Sequence, residues 1–94
     1  MLWVLVAEDR TDAGSLRADT RDAHLAWIAR TREHVVRAGP LLSDDGDTML
    51  GSHIVADFPD RAAVEAWAAE DPYARAGLFV SVRITAWKET VSPG

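Results

Sequence analysis

A strand with no polar face opens the chain and sets the plan of the fold. Residues 2–7 are Leu-Trp-Val-Leu-Val-Ala, directly after Met1 and before the charged residues 8–10. The side chains of a strand alternate between its two faces, so a strand that is apolar on both faces is usually central in a sheet and covered on both sides. We therefore expect residues 2–7 to form a central strand.

The next part of the sequence predicts a loop and then a long helix. Residues 8–19 are charged and contain a glycine, which favours a connecting loop. Residues 20 to about 37 carry apolar side chains at intervals of three and four, and Gly39 and Pro40 form a helix stop. The predicted inward stripe of this helix consists of His24, Trp27, Ile28, Thr31 and Val35.

The remaining elements alternate between strand and helix. The pattern predicts a short strand at 40–43, a polar Asp-Gly turn at 44–47, a strand at 51–58, a helix at 61–70, a helical turn capped by Asp71, a strand at 78–87 and a tail at 92–94. On the last strand the residues expected to share one face are Leu78, Val80, Val82, Ile84 and Ala86.

The resulting order, β-α-β-β-α-β, defines the fold class. It is the split βαβ pattern of an α+β, ferredoxin-like fold, with a four-stranded antiparallel sheet in the order 4-1-3-2 and both helices on one face. A chain of 94 residues has the size of one domain, so residues 1–94 are expected to form a single domain.

The sheet face without helices is the predicted site of association. Apolar side chains of the first strand should lie there together with Val55, Phe79 and Trp87. An apolar patch of this size tends to be covered by a partner. We therefore expect a homodimer formed through this face, with the architecture of a dimeric α/β barrel.

Composition excludes several classes of function. The net charge of −5 argues against a nucleic-acid partner, which favours a basic surface. The absence of cysteine excludes disulfides, thiolate nucleophiles and cysteine-rich metal sites, and it fits a cytoplasmic location. No apolar stretch approaches the roughly 20 residues of a membrane span, so no membrane association is expected. The three histidines are scattered without ligand spacing, so we expect no metal.

Two residues are expected to meet at one end of the helical layer. In this topology the first helix begins where the first strand ends, and the second helix finishes at the same end of the sheet. His24 and Asp71 both lie on inward stripes there. A neutral imidazole, favoured by the nearby helix N-terminus, could act as a general base while the carboxylate fixes its tautomer. The alternative is a purely structural pair, with a buried histidine and an aspartate that only caps a helix.

Other polar side chains predicted near this end could contact a substrate. Arg10, Arg21 and Arg75 could hold an anionic group, although surface arginines seldom do so. Tyr73 could donate a hydrogen bond to a substrate or simply pack. His34 is expected to be exposed, and His53 is expected to have a structural role on the sheet face opposite Ile54.

Several short motifs resemble the YciI-like (YCII-related) family. They are Arg21-Asp22-Ala23-His24-Leu25, Ala38-Gly39-Pro40, Glu70-Asp71-Pro72-Tyr73 and Ala76-Gly77-Leu78, and they cover most of the chain in order. The resemblance implies a ferredoxin-like fold, a dimer of the α/β-barrel type and an active site at His24 and Asp71. The better-assigned members resemble eliminating or isomerising enzymes of ring-compound breakdown.

Three functions follow as hypotheses. The first is a cofactor-free acid–base enzyme that acts on a small organic acid or ring compound through His24 and Asp71. The second is a dimeric ligand-binding or accessory module without turnover. The third is a cofactorless monooxygenase of the dimeric α/β-barrel type.

Overall fold

The computed structural model describes residues 1–93 and has the predicted α+β, ferredoxin-like fold. Four antiparallel strands form one sheet in the order β2-β3-β1-β4, which is the expected order 4-1-3-2. The elements are β1 (Leu2–Asp9), α1 (Leu16–Arg30), a 3₁₀ turn (Arg32–His34), β2 (Val35–Leu42), β3 (Met49–Asp57), α2 (Arg61–Ala69), α3 (Pro72–Arg75) and β4 (Phe79–Trp87).

Strand β1 is central, as its apolar sequence predicts. It pairs with β3 on one side and β4 on the other, and Leu5 lies opposite both Ile54 and Ile84. Trp3, Leu5 and Ala7 are buried against the helices, whereas the alternate residues of β1 are half-buried on the other face. The core consists of Trp3, Leu5, Trp27, Val35, Ile54, Ala56, Phe58, Val64 and Trp67.

Helix α1 lies earlier in the chain than predicted. It begins at Leu16, where a loop was expected, because Gly14 adopts a positive φ of 58° that turns the chain into the helix. It ends at Arg30 instead of about 37, since the following β-branched residues extend in β2 and Val35 pairs with Ala56. Val35 is still buried, but as a strand residue. Gly39 therefore lies within β2, where it was expected to stop the helix.

The predicted starts of the short helices are confirmed. The side chain of Asp60 accepts a hydrogen bond from the backbone N–H of Ala63, 2.9 Å away, and caps α2. Asp71 caps α3 in the same way, with Pro72 in the first helical turn. These two caps fix where the chain leaves β3 and where it turns towards β4.

The start of β4 differs from the simple alternation that was predicted. Glu8 pairs with Ser81 but Asp9 pairs with Phe79, so Val80 is an extra residue in the strand. Val80 is therefore exposed, and Phe79 turns to the helix side of the sheet, not to the helix-free face. There its ring meets the edge of the Tyr73 ring at 6.0 Å between centroids.

The helix-free face of the sheet is less open than predicted. An ion pair of 3.8 Å joins Arg37 on β2 to Glu89, which follows β4 at the opposite edge of the sheet. Arg37 pairs with Val55 in the register and shares its face, so this ion pair lies on the helix-free side of the sheet. Val55 is only 2% exposed, against the expectation that it would be open. Trp87 does lie partly exposed at 37%.

Two further findings concern the chain as a whole. Within residues 1–93, no helix is both long enough and apolar enough to cross a membrane. The tail predicted at 92–94 follows β4 without regular structure in residues 92 and 93, and Gly94 lies outside the described residues.

Candidate functional site

The structure brings His24 and Asp71 together, as the topology predicts. The imidazole Nδ1 lies 2.8 Å from Oδ1 of Asp71. Both residues are buried, with 9% of His24 and 4% of Asp71 exposed. His24 lies in the middle of α1 and not in its first turns, because the helix starts at Leu16. The expected influence of the helix N-terminus on the imidazole was therefore wrong, since that effect fades within one turn.

One carboxylate oxygen performs two tasks at this site. Oδ1 of Asp71 accepts a hydrogen bond from the backbone N–H of Tyr73, 2.9 Å away, as well as the bond from His24. Because a carboxylate only accepts hydrogen bonds, the network assigns the imidazole proton to Nδ1. In the neutral imidazole the other nitrogen, Nε2, carries the lone pair, and among residues 1–93 it has no hydrogen-bond partner.

Aromatic rings hold the imidazole in place. The ring of Tyr73 stacks on it with centroids 4.1 Å apart and planes 17° apart. Trp27 lies beside it at 5.9 Å, tilted by 45°. Burial raises the pKa of the Tyr73 phenol, and the positive charge of Arg17 opposes that shift only in part. Tyr73 is therefore a neutral phenol at physiological pH.

Arg17 belongs to the site, although the sequence analysis placed it in a loop. Its Nε and Nη2 donate to the two carboxylate oxygens of Asp9 at 2.6 and 2.8 Å, and Nη2 also donates to Oγ of Ser52 at 2.9 Å. Its Cζ lies 4.5 Å from the centroid of the Tyr73 ring. Burial alone would lower the pKa of Arg17, but the hydrogen bond and charge of Asp9 outweigh it and the pKa is raised.

The spacing along α1 was the signal that could have revealed Arg17. Arg17, Arg21 and His24 follow each other at intervals of four and three, which places them on one helical face. That pattern becomes visible only when the helix is started at Leu16.

These side chains line a cavity of about 300 Å³ between the helices and the sheet. The polar part of its wall comes from two arginines, the imidazole, a serine hydroxyl and a phenol, and the rest is mainly apolar. The lining residues are Arg17, Arg21, His24, Leu25, Ile28, Ala38, Gly39, Pro40, Met49, Ser52, Ile54 and Tyr73. A cavity of this size and character suits a small organic molecule with a few polar substituents.

The other residues singled out from the sequence lie at different distances from the cavity. Arg21 is exposed and lines it, whereas Arg75 is exposed on α3 and does not. Arg10 lines a neighbouring cavity beside Asp9.

Neither of the other histidines faces the site. His34 is half-buried and stacks on Phe58 with centroids 4.3 Å apart, so the expectation that it would be exposed was wrong. His53 pairs with Val6 and Gly39 on the helix-free side of the sheet, the face that the strand alternation predicts. Within residues 1–93, no three potential ligands among His, Cys, Asp and Glu cluster closely enough to hold a metal ion.

Comparison with known proteins decides the family. The model of the YCII-related domain matches residues 1–88. This chain belongs to the YCII-related family. The protein YciI of Escherichia coli O6:H1 is 32% identical over 96 residues, an alignment that covers 95% of this chain and 98% of that protein. The motifs around His24 and Asp71 had indicated the same family.

Solved structures of similar proteins support the fold, and one of these proteins is an enzyme of named activity. The 5-chloro-2-hydroxyhydroquinone dehydrochlorinase of Burkholderia phenoliruptrix, solved with 2,5-dihydroxybenzoquinone, is similar to this chain with a TM-score of 0.85 and 28% identity over 94% of both chains. An antibiotic biosynthesis monooxygenase has a TM-score of 0.51 and 15% identity over 95% of this chain and 100% of its own, which shows a shared fold alone. The fold is that of the dimeric α/β-barrel proteins.

Proposed function

We propose that this chain is a cofactor-free acid–base enzyme that removes a proton from a small oxygenated ring compound, in an elimination or isomerisation. The observation that carries the proposal is the hydrogen bond between His24 Nδ1 and Asp71. In the neutral imidazole this bond leaves the lone pair on Nε2, and His24 lines a cavity of about 300 Å³.

The proposed step uses both members of the pair. Nε2 of His24 takes a proton from the substrate, and the electron pair of the broken bond either expels a leaving group or moves within the ring. The imidazole becomes an imidazolium, whose charge the Asp71 carboxylate stabilises at 2.8 Å. The proton leaves Nε2 to solvent or to another position of the product, so His24 returns to its starting state.

The similar dehydrochlorinase supports this class of substrate. Its name describes loss of HCl from a chlorinated hydroxyhydroquinone, and its structure contains a dihydroxybenzoquinone. In this chain the cavity combines apolar walls for a ring with arginine and serine donors for its oxygen atoms. Tyr73, Arg21 and Arg17 are the proposed substrate contacts. Arg75, predicted to share this role, is not proposed here because it does not line the cavity.

Turnover of a chlorinated hydroxyhydroquinone tests the proposal. We expect the protein to release chloride from 5-chloro-2-hydroxyhydroquinone, and we expect His24→Gln to lower that rate by about 10²–10⁴-fold, as is typical for loss of a general base. His53→Gln is the matched control, because His53 lies on the opposite side of the sheet. An unchanged rate in His24→Gln would refute the assignment. Binding without turnover would favour the ligand-binding module, and consumption of oxygen would favour a monooxygenase.

We also propose that the protein acts as a homodimer in the cytoplasm. The half-buried valines of β1 and the partly exposed Trp87 share the helix-free face of the sheet, where they leave apolar surface accessible. A second copy would cover that surface. A chain without cysteine suits the reducing cytoplasm.

A further inference from the structure

We propose that Arg17 and Ser52 form a preformed binding site for an anionic oxygen of the substrate, within the cavity that His24 lines. This inference rests on the proposed function, because it assigns the substrate group that the same cavity holds. The class of ligand is a ring compound with an acidic hydroxyl, which binds as a phenolate or an enolate.

The hydrogen bonds of Arg17 to Asp9 and Ser52 use two of its three nitrogens. A guanidinium has five N–H donors. Nε and one N–H of Nη2 are bound to Asp9, and Nη2 also donates to Ser52. Nη1 takes no part in these bonds, and only 11% of the Arg17 side chain is exposed. The Tyr73 hydroxyl also hydrogen-bonds to this guanidinium. Because Nη1 has two N–H groups, it can still serve a ligand oxygen in the cavity that Arg17 lines.

Ser52 supplies a second donor beside the first. Its Oγ accepts the hydrogen bond from Arg17 at 2.9 Å, so its own hydroxyl proton must point elsewhere. Among residues 1–93 that proton has no acceptor. Ser52 is 5% exposed and lines the cavity. A buried hydroxyl without an acceptor is costly, and a substrate oxygen would satisfy it.

Three elements hold these donors rigidly. Arg17 projects from α1, Asp9 lies at the end of β1 and Ser52 lies on β3. Asp9 neutralises the buried guanidinium and fixes its plane through two parallel hydrogen bonds. Gly51 allows β3 to approach β1 so closely that a Cβ atom at this position would collide with the carbonyl oxygen of Ala7. Donors fixed in this way stabilise charge without reorganising during the reaction.

The donors and the base are close enough to act on one ring. The centroid of the Tyr73 ring lies 4.1 Å from the imidazole centroid of His24 and 4.5 Å from Cζ of Arg17. The imidazole centroid and Cζ of Arg17 are therefore no more than about 9 Å apart. When Nε2 of His24 removes a proton from the ring, negative charge moves onto the ring oxygens. An oxygen bound by Arg17 and Ser52 would carry that charge, and the hydrogen-bond donors already in place would stabilise it.

Calorimetric titration with 2,5-dihydroxybenzoquinone, an acidic hydroxyquinone, tests the site by binding alone. We expect Ser52→Ala to bind about 10- to 150-fold more weakly than the unchanged protein, as for loss of one hydrogen bond to a charged group. Ser81→Ala, at an exposed position of β4, is the matched control and should bind as the unchanged protein does. Benzoquinone, which lacks the acidic hydroxyls, should bind the unchanged protein and Ser52→Ala equally.

A second variant and a structure keep the proposal open to refutation. Arg17→Lys retains a positive charge but loses the planar donor, so we expect at least a tenfold loss of affinity for the hydroxyquinone. In a crystal of the complex, one ligand oxygen should lie within hydrogen-bond distance of both Arg17 Nη1 and Ser52 Oγ. Equal affinities in Ser52→Ala and the unchanged protein, no binding by the unchanged protein, or a ligand oxygen placed elsewhere would each overturn the inference.

These outcomes differ from those that test the acid–base proposal. Weaker binding in Ser52→Ala without chloride release by the unchanged protein would support the oxygen site and refute the elimination. Chloride release with unaltered affinity in Ser52→Ala would do the reverse.

Discussion

Replacing Asp71 by asparagine should separate the two tasks of this residue. Oδ1 of Asp71 accepts from both His24 Nδ1 and the backbone N–H of Tyr73, so both donors need an oxygen at the same point. An asparagine must therefore place its carbonyl oxygen there, which preserves the cap of α3 and the Nδ1–H tautomer. What it removes is the negative charge that stabilises the imidazolium.

The expected losses of stability and of rate follow from these contacts. Asp71→Ala removes a helix cap, worth about 1 kcal/mol, and leaves the buried imidazole N–H unpaired, at about 1–3 kcal/mol. The free energy of unfolding should fall by about 2–4 kcal/mol, which lowers Tm by 8 °C or more in a domain of roughly this size. Asp71→Asn should cost about 1 kcal/mol or less, because both hydrogen bonds remain possible. Its rate should nevertheless fall about 10- to 100-fold, less than for a variant that also loses the tautomer.

Two measurements check this prediction. Thermal unfolding followed by circular dichroism should rank the unchanged protein, Asp71→Asn and Asp71→Ala in that order, with the larger gap before Asp71→Ala. Nitrogen NMR of the His24 ring should show a proton on Nδ1 in both the unchanged protein and Asp71→Asn. The reasoning is refuted if Asp71→Asn is as unstable as Asp71→Ala, or if the asparagine variant carries its imidazole proton on Nε2.

Three further predictions concern packing, pH and association. Gly51→Ala should lower the free energy of unfolding by about 1–3 kcal/mol through the clash with Ala7, whereas Gly39→Ala, with nothing within 4 Å of the added Cβ, should not show this loss in chemical denaturation. Burial raises the pKa of Tyr73 above its ordinary 10.0, so the neutral phenol stabilises the folded protein fully below about pH 10, and this stabilisation is lost as the pH rises above that value. The Tm of Tyr73→Phe should therefore fall less steeply above about pH 10 than that of the unchanged protein. Sedimentation at micromolar concentration should give about twice the chain mass of 10.3 kDa, and a persistent monomer would contradict the dimer.

The strand order and the contact between His24 and Asp71 were predictable because they depend on coarse patterns. Alternating apolar residues identified the strands, and a proline and two aspartates marked the starts of the short helices. Topology then placed His24 and Asp71 at one end of the sheet without any need for exact helix limits. An error of four residues at the start of α1 left that result intact.

The features that were missed depend on single residues and tertiary contacts. The charged residues before position 20 resemble a loop until the guanidinium of Arg17 folds onto Asp9, and that ion pair exists only in the assembled fold. Val35 fits the stripe of α1 but gains more by pairing with β3. Phe79 changes face because Val80 bulges from β4, and local periodicity does not encode an extra residue of this kind.

The structural and catalytic interpretations of Asp71 are not alternatives in this fold. The oxygen that caps α3 also orients His24, and the turn it caps carries Tyr73, whose ring stacks on the same imidazole. Arg17 and Asp9 then fix the Tyr73 ring from α1 and β1. A change that loosens the start of α3 would therefore displace the His24 imidazole, the Asp71 carboxylate and the Tyr73 ring together. The local stability of α3 should accordingly control how well the site is formed, since a single four-residue helical turn is marginally stable without tertiary contacts such as these.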